Sequence, residues 1–142
     1  MATGAKGGYK TLVKRGDGAT PTENFVAVAE LLDITGPNMT KMIEDATTMD
    51  SPNGAVEKIS LGLRDAGEVT FQVHLLDENT SHNLLLADFW VDTFGNFQIV
   101  PNGATKAVQF AAHVAEFGSS YPVKGKMVRD IKLVITGKPV KV

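Results

Sequence analysis

Residues 67–77 read GEVTFQVHLLD, with Val69, Phe71, Val73 and Leu75 on one side of the chain and Glu68, Thr70, Gln72 and His74 on the other. Such alternation is what a strand shows when one face meets a core and the other meets water. The pattern recurs. Residues 107–117 align Val108, Phe110, Ala112 and Val114, and residues 127–136 align Ile131, Leu133 and Ile135 against Asp130, Lys132 and Thr136. Residues 96–100 form a shorter strand. The following Asn102-Gly103 suits a tight type I′ turn, so 96–117 reads as a hairpin. The expected fold class is therefore mainly β, a two-sheet sandwich or barrel.

One segment departs from period two. In residues 77–95, DENTSHNLLLADFWVDTFG, Leu85 and Phe89, and Leu86 and Trp90, stand four apart behind the capping candidates Asn79, Thr80 and Ser81. The spacing predicts one flanking helix over 81–92, ending before Gly95, with Leu86, Phe89 and Trp90 laid over the core. The segments FVAVAELLDI (25–34) and MTKMIEDATTM (39–49) are rich in strand formers but carry apolar side chains on both faces. A strand that covers its own core and also meets a neighbouring subunit has this composition, which points to an assembly. Residues 50–56, DSPNGAV, read as a polar loop, and Gly4, Gly7 and Gly8 as a flexible N-terminal arm. The expected organisation is an arm over 1–20 and one β domain over 21–142, with an extended loop or hairpin at about 39–60.

The 142 residues suit a single domain, and 43% hydrophobic against 21% charged residues is a globular composition. There is no cysteine, so disulfides, thiolate metal sites and a cysteine nucleophile are unavailable. The opening MATGAKGGYKTLVKR has no apolar signal region, and no run approaches the roughly 18 apolar residues of a membrane span. Neither secretion by that route nor a membrane partner is expected.

The net charge of -2 conceals a segregation. Residues 1–15 carry Lys6, Lys10, Lys14 and Arg15 and no acid, while residues 124–142 carry six bases against Asp130 alone. The stretch between holds the other 15 acids against Lys41, Lys58, Arg64 and Lys106. Basic ends are either solvated tails or electrostatic docking elements. In the second case Lys6, Lys10, Lys14 and Arg15 of one subunit would face Asp45, Asp50 and Glu57 of the next. Only Tyr9 accompanies the N-terminal bases, which makes a nucleic-acid-binding arm the lesser reading.

Motifs for catalysis or cofactor binding are not found, and no enzyme activity, cofactor or metal is expected. His74, His82 and His113 lack ligand spacing; His74 and His113 fall on polar strand faces, and His82 with Asp77 and Glu78 makes a poor zinc set. Gly16-Asp17-Gly18 lacks the lysine of a phosphate loop, and Asp45 and Asp50 lack the regular oxygen spacing of a calcium loop. A carbohydrate-binding module would need an aromatic platform, which 7% aromatic residues with one Trp on the helix do not supply.

Residues 43–71, IEDATTMDSPNGAVEKISLGLRDAGEVTF, resemble the signature of the lambda-like major tail tube proteins of long-tailed bacteriophages. The matching positions are Asp45, Thr47, Asp50, Ser51, Glu57, Lys58 and Ile59, then Gly62, Leu63, Asp65, Gly67 and Glu68 opening the next strand. SSYPVKGKMV and the closing Ile135-Thr136-Gly137-Lys138-Pro139 also resemble the family, and the likeness covers roughly 24–139. Leu61-Gly62 departs from it, since many relatives have a proline before the glycine. The resemblance implies a β-sandwich or barrel with one helix that forms hexameric rings stacked into a hollow tube, through which DNA passes without specific binding. Tubes of contractile tails and of type VI secretion systems are similar in fold. The implied partners are the chain itself and the tape-measure, tail-tip and tail-terminator proteins. The implied location is the virion tail, assembled in the host cytoplasm. Within this reading the subunit interface is expected at Met42, Ile43, Glu44, Asp45, Thr47, Met49, Asp50, Glu57, Lys58 and Ile59, and ring stacking at Lys6, Lys10, Lys14 and Arg15.

Overall fold

The computed structural model describes residues 4–76 and 78–142. In chain order the elements are β1 (Leu12–Gly16), β2 (Phe25–Ala27), β3 (Leu31–Thr35), β4 (Thr40–Asp45), β5 (Lys58–Asp65), β6 (Glu68–His74), α1 (Thr80–Trp90), β7 (Gly95–Val100), β8 (Val108–Ser120) and β9 (Val128–Lys141). Seven strands form one antiparallel sheet in the order β2-β1-β7-β8-β9-β6-β3, and β4 and β5 form a separate two-stranded sheet. The three alternating segments supply its middle. Val69, Phe71 and Val73 of β6, Phe110, Ala112 and Val114 of β8, and Ile131, Leu133 and Ile135 of β9 are all buried in one cluster. Phe97 of β7 stacks on Phe110 at 6.2 Å between ring centroids within it.

The two edge strands of this sheet, β2 and β3, are consecutive in the chain and are separated only by residues 28–30. That short connection draws the edges together and closes the sheet around its core. Val28 N–H still donates to the Val13 carbonyl of β1 at 2.9 Å, and Glu30 C=O already accepts from His74 N–H of β6 at 3.2 Å. Between them Ala29 belongs to neither ladder, so its N–H and C=O need other partners. The first turn of α1 provides both. Ala29 N–H donates to Ser81 Oγ at 3.2 Å, and His82 Nε2 lies 2.9 Å from the Ala29 carbonyl oxygen. Because a carbonyl only accepts, Nε2 carries the proton. The helix itself is capped by Asn79 Oδ1, which accepts from the Ser81 and His82 N–H groups. Its last turn is tied to β1 by Arg15, whose guanidinium grips the Asp88 carboxylate at 2.5 and 2.8 Å. This hydrogen bond, working against burial, holds the Arg15 guanidinium above its ordinary value.

Several expectations need correction. The helix buries His82 and Leu85, with Phe89 packed at the margin of the core, whereas Leu86 and Trp90 face outward and Trp90 is 76% exposed. The segment LLLADFWV is apolar around most of its circumference, so the inward face was decided by the histidine that Ala29 requires. Asn102-Gly103 does not form a type I′ turn, because only Gly103 has positive φ. The β7–β8 hairpin stands, closed by a longer loop in which Ala104 N–H reaches the Pro101 carbonyl at 3.1 Å. The strand-forming segment 25–34 holds β2 and most of β3, with the connection 28–30 between them. Residues 12–16, placed in the arm by the sequence, form β1, where Val13 is fully buried. The strand within 39–49 covers no core, since all six residues of β4 are exposed.

Two glycines set where the two-stranded sheet leaves the body. Gly36 (φ +105) stands where a Cβ would lie 2.2 Å from the Glu68 carbonyl oxygen, and Gly67 (φ +81) where one would lie 2.1 Å from the Asn38 carbonyl oxygen. The strands entering and leaving the projection thus cross in backbone contact that no side chain could share. Gly67→Ala is expected to destabilise the unassembled chain by more than the about 1–2 kcal/mol of a left-handed alanine alone, read by thermal unfolding. His82→Ala, which strands the Ala29 carbonyl, is expected to cost about 1–3 kcal/mol in denaturant titrations. His82→Gln, with an amide donor, should cost less; equal losses in the two variants would assign His82 to packing alone.

Candidate assembly interface

The projection β4–β5 is built from MTKMIED and KISLGLRD. Cross-strand partners are Thr40 with Asp65, Lys41 with Arg64, Ile43 with Ser60, Glu44 with Ile59 and Asp45 with Lys58, with a register shift between Lys41 and Ile43. Directly paired residues share a face, and neighbours along a strand alternate. Ile59 therefore lies on one face with Glu44, and Ile43 lies on the other with Ser60, while Leu61 and Leu63 flank Gly62 in the shifted stretch. Every residue of both strands is exposed. A two-stranded hairpin is marginal in water even with one covered face. This one shows water Met39, Met42, Ile43, Met49, Val56, Ile59, Leu61 and Leu63. Exposed apolar side chains gathered in this way mark an interaction site.

The end of the hairpin is ordered by its own polar groups. Thr47 N–H donates to Asp45 Oδ1 at 2.8 Å, Glu57 N–H donates to Thr47 Oγ1 at 2.8 Å, and Thr48 N–H donates to Ser51 Oγ at 2.9 Å. The Thr47 hydroxyl and N–H hold the Asp45 carboxyl below its ordinary range. Residues 52–54 complete the end with a single 3-10 turn, and Met49 stands fully exposed beside it. The expected interface residues Met42, Ile43, Glu44, Asp45, Thr47, Met49, Asp50, Glu57, Lys58 and Ile59 thus lie together on one projection.

The residues of the signature turn each have a place. Gly62 has φ +80 in the shifted stretch of β5, Leu63 is exposed, and Asp65 Oδ1 accepts from Gly67 N–H at 2.8 Å where the chain re-enters the body. Glu68 meets Lys132 at 3.1 Å, which raises the lysine above its ordinary value. The four N-terminal bases are not gathered. Arg15 is spent on Asp88, Lys10 Nζ sits 5.9 Å from the Tyr9 ring centroid, Lys6 Nζ is 3.5 Å from the Gly103 carbonyl oxygen, and Lys14 lies within β1. Within the chain none of them meets Asp45, Asp50 or Glu57. Sequence reading left Met39, Val56 and Leu61 out of its candidate residues and named Leu63 for the signature turn alone, although the alternation in KISLGLRD already carries Leu61 and Leu63.

The histidines serve the fold. His74 Nδ1 stands 3.5 Å from Glu30 Oε1, His113 meets the ring of Phe94 at 6.2 Å, and His82 is the buried partner of Ala29. Asp77, weighed as a companion ligand of His82, lies outside the described residues. Among the described residues no group of three or more His, Cys, Asp or Glu could hold a metal ion, and no helix is long and apolar enough to cross a membrane.

A family model for the lambda phage tail tube protein (TTP) matches residues 14–141. No curated protein matches in sequence. Among solved structures, the tail of an empty gene transfer agent (GTA) particle, refined with C6 helical symmetry, superposes with TM-score 0.78 at 17% identity, covering 97% of this chain and 99% of that one. The sheath–tube complex of an extracellular contractile injection system in its extended state gives TM-score 0.67 at 12% identity, over 94% and 88% of the two chains. The SPP1 tail tube gives 0.63 at 14% identity, over 93% and 74%. Such distant likenesses carry the fold, and the family match over nearly the whole chain carries the kinship: this chain belongs to the lambda phage tail tube protein family, as a structural component of the virion tail.

Proposed function

We propose that the chain polymerises as hexameric rings stacked into the hollow tube of a long, non-contractile tail, and that DNA passes through its lumen without being held. The observation that carries this reading is the β4–β5 hairpin, which leaves the body with both faces and its strand edges uncovered. Unpaired edges and apolar faces are costs that a monomer has no reason to bear. In a ring they become the joint, with the hairpins of neighbours adding strand to strand. Six-fold symmetry is that of the gene transfer agent tail, which supports the ring size. The likeness to a contractile sheath–tube complex supports a second reading, a contractile tube, which the lambda-type family match makes the lesser one. Tape-measure, tail-tip and tail-terminator proteins are the further partners on this reading, with assembly in the bacterial cytoplasm. Catalysis, a cofactor and a membrane have no part in it.

Lys6, Lys10, Lys14 and Arg15 are assigned to ring stacking, Arg15 contributing least because its guanidinium is already paired with Asp88 in its own chain. Exposed pairs of this kind are worth little singly but recur around each ring junction. Light scattering is expected to find assembly weakened above roughly 0.5 M NaCl, where the Debye length falls to a few Å. Salt-independent assembly would return these bases to the role of solvated ends.

Negative-stain microscopy of the purified chain across concentration is expected to find rings or tubes. Ile43 and Ile59 occupy opposite faces of the hairpin, so Ile43→Asp and Ile59→Asp test each face separately, and each is expected to abolish assembly while the chain stays folded. If both variants still build tubes, the hairpin is not the joint. The lumen is expected to be acidic or neutral, since a conduit that gripped phosphates would stall its cargo. Free duplex DNA at physiological salt should bind no tighter than about 100 µM, and tight binding by fluorescence anisotropy would count against a conduit.

A further inference from the structure

A groove of about 770 Å³ lies where the hairpin joins the body, between the start of β4, the end of β5 and the far part of β9. Its apolar floor includes Met39, Ile135 and Pro139, and Lys41, Arg64 and Lys138 stand around it. Lys41 and Arg64 are directly opposed across the β4–β5 ladder, an arrangement of like charges that destabilises a hairpin left to itself. Lys138 joins them from a bulge, since Gly137, Lys138 and Pro139 fall between the partners of Gln109 and Ala111. None of the three bases makes an ion pair among the described residues. Asp65, the acid in the groove, has one carboxylate oxygen engaged by Gly67 N–H.

The opposite end of the hairpin has the complementary character. Met49 and Val56 are exposed there, and the carboxylates of Asp50 and Glu57 make no ion pair among the described residues. The side-chain hydrogen bonds of Thr47, Thr48 and Ser51 hold this tip in shape, so its docking requires little further ordering. The six residues of β4 put the tip roughly 20 Å from the groove at the base. The tip cannot therefore reach the groove of its own chain.

We propose that the groove at the base of the hairpin receives the hairpin tip of a second copy of this chain, with Met49 on the apolar floor and Asp50 and Glu57 against Lys41, Arg64 and Lys138. The inference rests on the tube reading and gives the tip acids a partner other than the N-terminal lysines. Tip and groove are different surfaces, so the contact is head-to-tail: each copy offers a tip to one neighbour and a groove to another, and the contact can propagate. The like charges of Lys41 and Arg64 then make sense as a receptor completed only on assembly.

Charge reversal with rescue tests it. Glu57→Lys and Arg64→Glu are each expected to raise the concentration for half-assembly at least tenfold at low salt, and the double variant to recover most of the loss. Because the natural chain lacks cysteine, Met49→Cys with Thr136→Cys adds a second measurement. Oxidised tubes of that variant should give a ladder of covalent oligomers on a non-reducing gel, whereas Met49→Cys with Lys10→Cys should not. Tubes indifferent to both reversals, a double variant without recovery, or a ladder only from the Lys10 pairing would overturn the docking and leave the tube standing. A wild type that stays monomeric at every concentration would overturn both.

Discussion

Closing a sheet on itself leaves a residue with nowhere to bond. In this chain the residue is Ala29, caught between the ladder of β1–β2 and that of β3–β6, and its two peptide groups are satisfied by Ser81 and His82. The rest of the body is arranged around that repair. It fixes where α1 begins, and the Arg15–Asp88 pair fixes where it ends. Between these ties Leu85 is pressed onto a core drawn from five strands. A carboxylate in the last turn of a helix is poorly placed against the helix dipole, and the bidentate guanidinium offsets that cost. Burying a histidine likewise has a cost, visible in His82 Nδ1, which has no hydrogen-bond partner among the described residues. The closure requires the histidine, and the unpaired nitrogen is its consequence.

The hairpin follows the opposite logic. The body satisfies its peptide groups and apolar faces internally, while β4 and β5 satisfy little beyond their own ladder. On the proposed reading, this division of one chain into a self-sufficient body and a dependent projection lets a subunit stay folded before it assembles. The body supplies stability, and on that reading the projection supplies association.

Much of this was legible from residue order. Period two in 67–77, 107–117 and 127–136 identified the central strands, because burial on one face leaves no other pattern. What alternation cannot report is the identity of the covering partner. Ile59, Leu61 and Leu63 alternate as cleanly as Ile131, Leu133 and Ile135, yet the first set faces outward and the second is core. The helix misled for a related reason. Leu86 and Trp90 are as apolar as Leu85 and Phe89, and the inward face follows from a hydrogen bond to Ala29, more than fifty residues away in the chain. Arg15 and Asp88 are similarly remote, so the pairing that engages Arg15 within its own chain was invisible locally. The tip residues were found as a group because the family resemblance gathers them, and their mutual hydrogen bonds arise from short-range Asx and Ser/Thr geometry.

The crossing of Gly36 and Gly67 has a mechanical side. Each glycine abuts the carbonyl of the opposite strand's connection, so the hairpin is clamped at its root by backbone on backbone, without a flexible side chain between. A projection roughly 20 Å long acts as a lever, and a swing of about 5° at the root would move its end by about 2 Å. In a polymer, angular errors of that size accumulate from one subunit to the next. With the hairpin as the proposed joint, the straightness of a long filament depends on how stiffly two peptide units are held at a single pivot.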